Sequence, residues 1–540
     1  MRSIPSVAVF IVLCWIPLIS SFSATECIKS IRNRNKIPST TQTNRFKIHT
    51  KHHSQYHSLT YRTSTLPLTL LHLVESDQSE PVQIWKASLL IAGTTVGGGF
   101  LALPQTVVVP LGGFVPSAIS LTGVWIFFLV QSLVLSECFV QCHKERQTQH
   151  TTTISSDKME VIGIPSLVHH GIGQQGSFVA TALLVLVTEA TLVSQLSRAG
   201  SLLAGTGNLL QYRIGCILAG TIGAILSLGG SSRRHGKTQS QSQSQSQSQQ
   251  SFELTPSRQL PNRLATDVNA ILTIIFLASA ILLFQTGSQT ATWSHCFDTS
   301  FISSPFLLTG KVVTAIPTML QLLAFGEILP HVCHMLKYQP QAIRTSILWG
   351  SSIPLLLLTG WAGLGVALLG PLTNSDPVQV LLSTGSIAMR QRLLILATSA
   401  IGTTILGSFM ALESAYHDIT QESSDGNTSQ SSSDSWLQHP LVATLLIVIP
   451  PMAISITSPT VFLRAIDFAG SYPVLLLFGV IPPILALKMK KRNPEQTFIK
   501  GPTIRYVGLL LLSMFMVTMS AVPDMQAMTR WIVSQCHSIP

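Results

Sequence analysis

Glu189 and Glu327 each stand inside a long stretch that is otherwise almost entirely apolar. An ionised carboxylate at the centre of a bilayer costs several kcal/mol, so a carboxyl kept there suits loading and releasing a proton, or meeting an ammonium group. The plainer use is a neutral carboxyl held in a structural hydrogen bond. Glu327 ranks first because Gly326 precedes it and Pro330 follows it, making the backbone around it irregular as well. Glu137, Glu413 and Asp467 lie nearer the ends of their stretches, where interfacial water solvates a charge. His331, Cys333 and His334 supply too few ligands for a metal centre, and no nucleotide loop or hydrolase triad is present. Neither metal nor cofactor is expected, and the chain does not read as an enzyme.

The second kind of chemistry belongs to the backbone. "IAGTTVGGGFLALPQ", Ile91 to Gln105, places four glycines, two threonines and a proline in an apolar run. Each glycine costs a helix about 1 kcal/mol relative to alanine. The run Gly93-Thr94-Thr95-Val96-Gly97-Gly98-Gly99 therefore favours a break, with Pro104 near the start of a second half-helix. Small residues spaced as Gly93 and Gly97 also suit a close helix packing seam, which is the competing use. An unwound segment in lipid persists only where protein buries it or where it lines a cavity.

A second irregularity, "AIPTMLQLLAFGEILPHVCHML", repeats the order of glycine, apolar pair and proline: "GGGFLALP" against "FGEILP". Paired interruptions in corresponding positions are the sequence sign of a transporter built from inverted repeats. A zwitterionic amino acid needs donors at its carboxylate and acceptors at its ammonium. The backbone of Gly97, Gly98, Gly99 and Phe100 supplies freed N–H groups at a half-helix N-terminus, and carbonyls near Ala92, Gly93, Thr94 and from Leu323 to Phe325, beside Gly326, supply acceptors. The Thr94 and Thr95 hydroxyls add to the site or bond back to their own helix. Phe325 stacks on an aromatic substrate or packs the core.

The elements that must position these groups are membrane spans. Of 540 residues 46% are hydrophobic and 10% charged, and the mean hydropathy is +0.42. Eleven apolar runs long enough to cross a hydrocarbon core are read at about 84–109, 113–140, 176–203, 212–230, 267–286, 311–336, 343–369, 391–413, 438–457, 460–487 and 503–522. With the segment before the first span on the inner face, inner loops hold roughly sixteen Lys and Arg against about five outside. The net charge of +11 thus reflects topology and targeting, and nucleic acid is not an expected partner. Membrane lipid is. The tract "QSQSQSQSQSQQS" marks 231–263 as a disordered insertion, and 414–436 is a polar loop. Asn427 fits a glycosylation sequon that this topology keeps inside.

Residues 1–24 read as a signal peptide. Residues 25–80 read as transit-peptide-like: from Cys27 to Val74 there are eight Lys or Arg, five His and no Asp or Glu. The pair resembles the bipartite presequences of algal plastid proteins, with Phe22 fitting the residue after signal cleavage. It implies a plastid inner envelope destination, the alternatives being a plasma or endomembrane one. A transporter domain over 81–522 and a tail over 523–540 complete the expected organisation.

"AGTTVGGGFLALP" resembles the opening motif of the aromatic amino acid permeases, the tyrosine- and tryptophan-specific transport family, and "LATDVNAILTIIF", "AIPTMLQLLAFGEILP", "GSSIPLLLLTGWAGLGV", "ILATSAIGTTILGSF" and "AIDFAGSYPVLLLFGVIPPILAL" follow in family order. The resemblance implies an all-α, leucine-transporter-like fold of about eleven spans in a 5+5 inverted repeat, with spans 1 and 6 broken. It also implies proton-coupled uptake of an aromatic amino acid. In one place the chain departs from the family: where relatives typically carry Phe-His in span 6, Phe325 is followed by Gly326 and Glu327. That departure bears on coupling and substrate, and leaves open a carrier of another neutral amino acid or indole-like compound, or a non-transporting amino acid sensor.

Overall fold

The computed structural model describes residues 80–150, 162–204, 208–231, 263–297, 310–370, 377–425, 440–457, 459, 461–492 and 502–537. The chain divides into two units, 1–82 and 83–540, and almost everything described belongs to the second. The expected presequence, the Gln/Ser-rich tract and Asn427 lie outside the described residues. Every described regular element is helical.

In chain order the helices are α1 (Glu80–Thr95), α2 (Phe114–His150), α3 (Ile164–Ile172), α4 (Gln174–Ala204), α5 (Leu209–Ser231), α6 (Arg263–Thr290), α7 (Gly310–Leu323) and α8 (Leu329–Met335). They continue as α9 (Pro340–Leu369), α10 (Pro377–Thr384), α11 (Ile387–Asp425), α12 (Pro440–Ser455), α13 (Val461–Ser471), α14 (Ile481–Arg492) and α15 (Thr503–His537). Among the described residues eight helical segments are long and apolar enough to cross a membrane. The remaining runs of the sequence fall on the interrupted α1 and on the shorter helices α5 and α12.

Local chemistry explains the boundaries. After α1 the chain passes through a 3-10 turn, Gly98–Ala102, and a wider π turn, Pro104–Val108, before Gly112 ends the element at φ +76°. A left-handed residue there is favourable only for glycine, and it turns the chain into α2. Pro330 and Pro340 stand in the first turns of α8 and α9, where a missing N–H costs nothing.

Two helices are at the centre of the packing. α4 lies against α5, α11, α12 and α13, and α11 also covers α6. Between α4, α11 and α12 runs an apolar seam of Leu192, Leu196, Ile401, Ile405, Phe409, Leu412, Ile447 and Val448. In lipid such association rests on close approach, since the tails are as apolar as the side chains. α4 and α5 meet backbone to backbone: a Cβ on Gly215 would stand 2.9 Å from the Gly200 Cα. The 3-10 turn after α1 touches both α4 and α11, and the short turn before α8 touches α11.

The "HKER" end of α2 is tied down by polar contacts. Arg344 of α9 donates to Glu137 at 2.6 Å, and Gln141 donates to Glu145 at 2.6 Å. His170 of α3 pairs with Glu145 at 2.7 Å. Between α8 and α9, Lys337 and Tyr338 both adopt positive φ. Tyr338 stacks on His143 with centroids 4.0 Å apart, and its hydroxyl accepts the Ile162 N–H at 3.2 Å. Burial pushes that hydroxyl's pKa above the usual phenol range, so it acts as a hydrogen-bonding group and not a charge.

Candidate functional site

The first break begins where Gly97 takes an extended conformation, φ −81° and ψ 175°. Ala92 still accepts the Val96 N–H at 3.2 Å, but Gly97 turns its N–H to the Thr95 carbonyl at 3.0 Å. The Gly98 N–H leaves the helix altogether and donates to Oε1 of Gln195 on α4 at 2.7 Å. The carbonyls of Gly93 and Thr94 thereby lose the donors that a continuing helix would bring them. Phe100 donates to Gly97 at 3.2 Å, while the Gly99 N–H has no acceptor among the described residues. The Thr94 hydroxyl donates to the Leu90 carbonyl at 2.8 Å and that of Thr95 to the Ile91 carbonyl at 2.6 Å, so both bond to their own helix.

Gly97 and Gly98 face α4 and α11, and Gly99 faces α7 and α13. A Cβ on Gly97 would lie 2.7 Å from Thr404 Oγ1 and 2.8 Å from Gln195 Nε2. On Gly98 it would lie 2.7 Å from the Ile401 Cγ1, and on Gly99 2.8 Å from the Leu322 Cδ2. Break and packing seam are therefore one feature: the glycines unwind the helix and let α4, α7 and α11 close on it. The side chain of Phe100 points into a core, edge-on to Phe276 and to Trp361 with centroids 5.8 Å away in each case. What Phe100 offers the site is backbone.

The second break separates α7 from α8. Phe325, at φ −140° and ψ 12° and 2% exposed, opens a 3-10 turn, Gly326–Ile328. Leu323 is buried beside it. A Cβ on Gly326 would collide with the Phe478 ring, which fixes how closely this turn sits on the π segment Leu475–Val480. Glu327 is half-buried, and its Oε2 is buried without a hydrogen-bond partner among the described residues. Glu189 has a buried, unpartnered Oε2 as well. It lies seven residues before Leu196, on the side of α4 that faces the apolar seam, and roughly 200° around the helix from Thr191. The structure thus sets Glu327 in the break itself and Glu189 on a different side of α4 from Thr191 and Gln195.

Those touching residues were not singled out from the sequence. Thr191 accepts Gln321 Nε2 of α7 at 2.8 Å, and Gln195 holds the first break. Arg198 stands over the Phe462 ring of α13, 5.1 Å from its centroid. Thr188, Thr191, Gln195 and Arg198 recur at intervals of three and four, a polar stripe along one face of α4 that was available as a signal. Asp467 of α13 accepts the Thr318 hydroxyl of α7 at 2.7 Å, joining two helices rather than facing interfacial water alone. Gln321 Oε1 is buried with no hydrogen-bond partner among the described residues.

Together these groups present donors at the first break, acceptors in the freed carbonyls of Gly93 and Thr94, and a carboxyl at the second break. Such a set has the chemistry to hold a small zwitterion by dipoles and hydrogen bonds, with one ionisable side chain at the break itself.

Residues 81–228 and 260–521 match the tryptophan/tyrosine permease family, a stretch that includes both breaks. Two relatives from Haemophilus influenzae align over most of their length. Tyrosine-specific transport system 1 is 22% identical, the alignment covering 80% of this chain and 95% of that protein. Tyrosine-specific transport system 2 is 23% identical, covering 79% and 93% respectively.

Proposed function

Because this chain belongs to the tryptophan/tyrosine permease family and is an integral, multi-pass membrane protein, we propose that it is a secondary carrier of tyrosine or tryptophan, moving its substrate by alternating access and proton symport. The observation that carries this reading is the family match running through both interrupted helices. The names of the two relatives support an aromatic substrate. The interrupted α1 and the α7 to α8 pair take the corresponding first and sixth places of a leucine-transporter-like 5+5 repeat. In this reading they rock against a scaffold that includes α4 and α11, and no enzymatic step is involved.

The amino acid sits between the breaks. Its carboxylate meets the first break at the Gly99 N–H, with Gly97, Gly98 and Phe100, whose own N–H groups are already bonded, shaping the backbone around it. Its ammonium meets the carbonyls near Gly93, Thr94 and Leu323 to Phe325, with Glu327 close by. Thr95 supports the first half-helix, and the ring of Phe325 borders the aromatic side chain. Glu327 loads and releases the proton that drives accumulation, with Glu189 as the second carboxyl available for it.

Competition in reconstituted proteoliposomes tests the substrate class. Excess unlabelled tryptophan or tyrosine is expected to suppress uptake of labelled tyrosine by at least about tenfold, and equal leucine to leave it within about twofold. Equal suppression by leucine would move the assignment to a general neutral amino acid carrier. The basic stretch from Cys27 to Val74, which has no Asp or Glu, supports a plastid inner envelope address. A fluorescent fusion of residues 1–80 checks it: plastid fluorescence in an algal host with secondary plastids is expected, and a secretory pattern alone would remove the plastid assignment.

A further inference from the structure

Gln195 is 3% exposed, lies 97 residues from Gly98 in sequence, and accepts the Gly98 N–H of the first break at 2.7 Å. Its orientation is set by chemistry. The Gly98 N–H can only donate, so the atom facing it at 2.7 Å is the amide oxygen, and the nitrogen is turned the other way. That nitrogen carries two hydrogens. One reaches Ser194 Oγ at 3.2 Å, and the other has no acceptor among the described residues.

The location of Nε2 is equally specific. It lies 2.8 Å from the point that a Gly97 Cβ would occupy, with Thr404 Oγ1 2.7 Å from the same point. The donor therefore stands directly over the glycines that unwind the helix, where a side chain larger than hydrogen has no room. One residue beyond Gly98, the Gly99 N–H is also without an acceptor. Two donors left over at one buried backbone break match the two oxygens of a carboxylate, and a neutral amide supplies its share without adding a charge to the site. Arg198, one turn further along α4, is engaged over Phe462.

We propose that Gln195 determines recognition of the substrate carboxylate: with Oε1 fixed on the Gly98 N–H, its Nε2 is the side-chain donor that an amino acid's carboxylate takes at the first break. This rests on the carrier reading above and adds to it a residue on α4, outside the two broken helices.

The test uses Gln195→Glu, which keeps the length and an oxygen for the Gly98 N–H but replaces the free donor by an acceptor. Gln195→Met, of similar shape and with no polar atom in the amide position, is the second variant should glutamate disturb folding. The full chain is purified in detergent, and binding of L-tyrosine, binding of tyramine and the ligand-free Tm are measured. Tyrosine affinity is expected to fall at least about 30-fold in Gln195→Glu and at least about tenfold in Gln195→Met. The ligand-free Tm is expected to stay within about 3 °C of wild type. Tyramine, which lacks the carboxylate, is bound equally by wild type and variants, or by none of them. Tyrosine affinity within threefold of wild type in a folded variant overturns the proposal. So does an equal fall for tyramine, or a lower ligand-free Tm accompanying the loss in both variants, because a merely structural pin produces those results. A wild-type chain that binds neither tyrosine nor tryptophan instead fails the carrier reading, which keeps the two failures apart.

Discussion

Glu327→Gln is expected to abolish pH-gradient-driven accumulation of tyrosine while leaving tyrosine binding within about threefold of wild type. The substitution preserves shape and hydrogen-bonding capacity but removes the exchangeable charge. Glu327 stands in the 3-10 turn of the second break, with one carboxyl oxygen buried and unpartnered. A permanently ionised group there would carry the full cost of charge in a low-dielectric site, so the residue is suited to alternate between forms as the site opens to one side or the other. A gradient of one pH unit supplies about 1.4 kcal/mol per proton, enough for about tenfold accumulation in a one-to-one symport. Proteoliposomes carrying the variant should therefore equilibrate tyrosine without concentrating it. Glu189→Gln, altering a carboxyl on the seam side of α4, should leave the accumulation ratio near wild type. If instead Glu189→Gln uncouples and Glu327→Gln does not, the proton site has been placed on the wrong helix.

The second large effect belongs to a residue without a side chain. Gly98→Ala would put a methyl group 2.7 Å from the Ile401 Cγ1 and 2.9 Å from Gln195 Oε1. Ile401 Cγ1 sits on a stiff β-branched carbon, and Gln195 can swing clear only by giving up its bond to the Gly98 N–H, so either the break moves away from α11 or that bond is lost. Losing the buried Gly98 to Gln195 hydrogen bond leaves an N–H and an amide oxygen unsatisfied, a penalty of about 1–3 kcal/mol. Tyrosine uptake at low concentration is expected to fall by about 10- to 100-fold, since each 1.4 kcal/mol is a factor of ten. Gly508→Ala on α15 is the matched control, because a Cβ there meets nothing within 4 Å. Equal uptake by the two variants would show that the first break tolerates bulk and is not a binding surface.

Local chemistry explains what the sequence reveals. The spans are legible because twenty or so apolar residues cannot be anything else at such low charge. Both breaks are legible because Gly97 to Gly99 and Gly326 weaken helices that Pro104 and Pro330 restart, all within a few positions of one another. The partners of those breaks are another matter. Gln195 bonds Gly98, Thr191 accepts from Gln321, and Thr318 bonds Asp467, pairs that are 97, 130 and 149 residues apart. No local preference encodes such pairings, which come only from how α4, α7 and α13 are laid together. The stripe on α4 shows that the helix has a polar buried face, but not what that face touches.

The threonines illustrate the same limit at close range. A hydroxyl one turn after a carbonyl bonds to it whenever the helix is intact, and α1 remains helical through Thr95. Where a helix stops by one residue thus decides whether Thr94 and Thr95 face a ligand or their own backbone. Phe100 follows the same logic: immediately beyond the break its ring is drawn into the aromatic core with Phe276 and Trp361.

The most direct single measurement is the steady-state distribution of labelled tyrosine in proteoliposomes containing the wild-type chain, with an imposed pH gradient and then with a protonophore. The expected result is saturable accumulation toward the alkaline side, to several times the concentration on the acidic side, collapsing to equality when the gradient is dissipated. Saturable tyrosine binding with no accumulation under a gradient of either sign would contradict proton-coupled carriage and leave a sensor in its place.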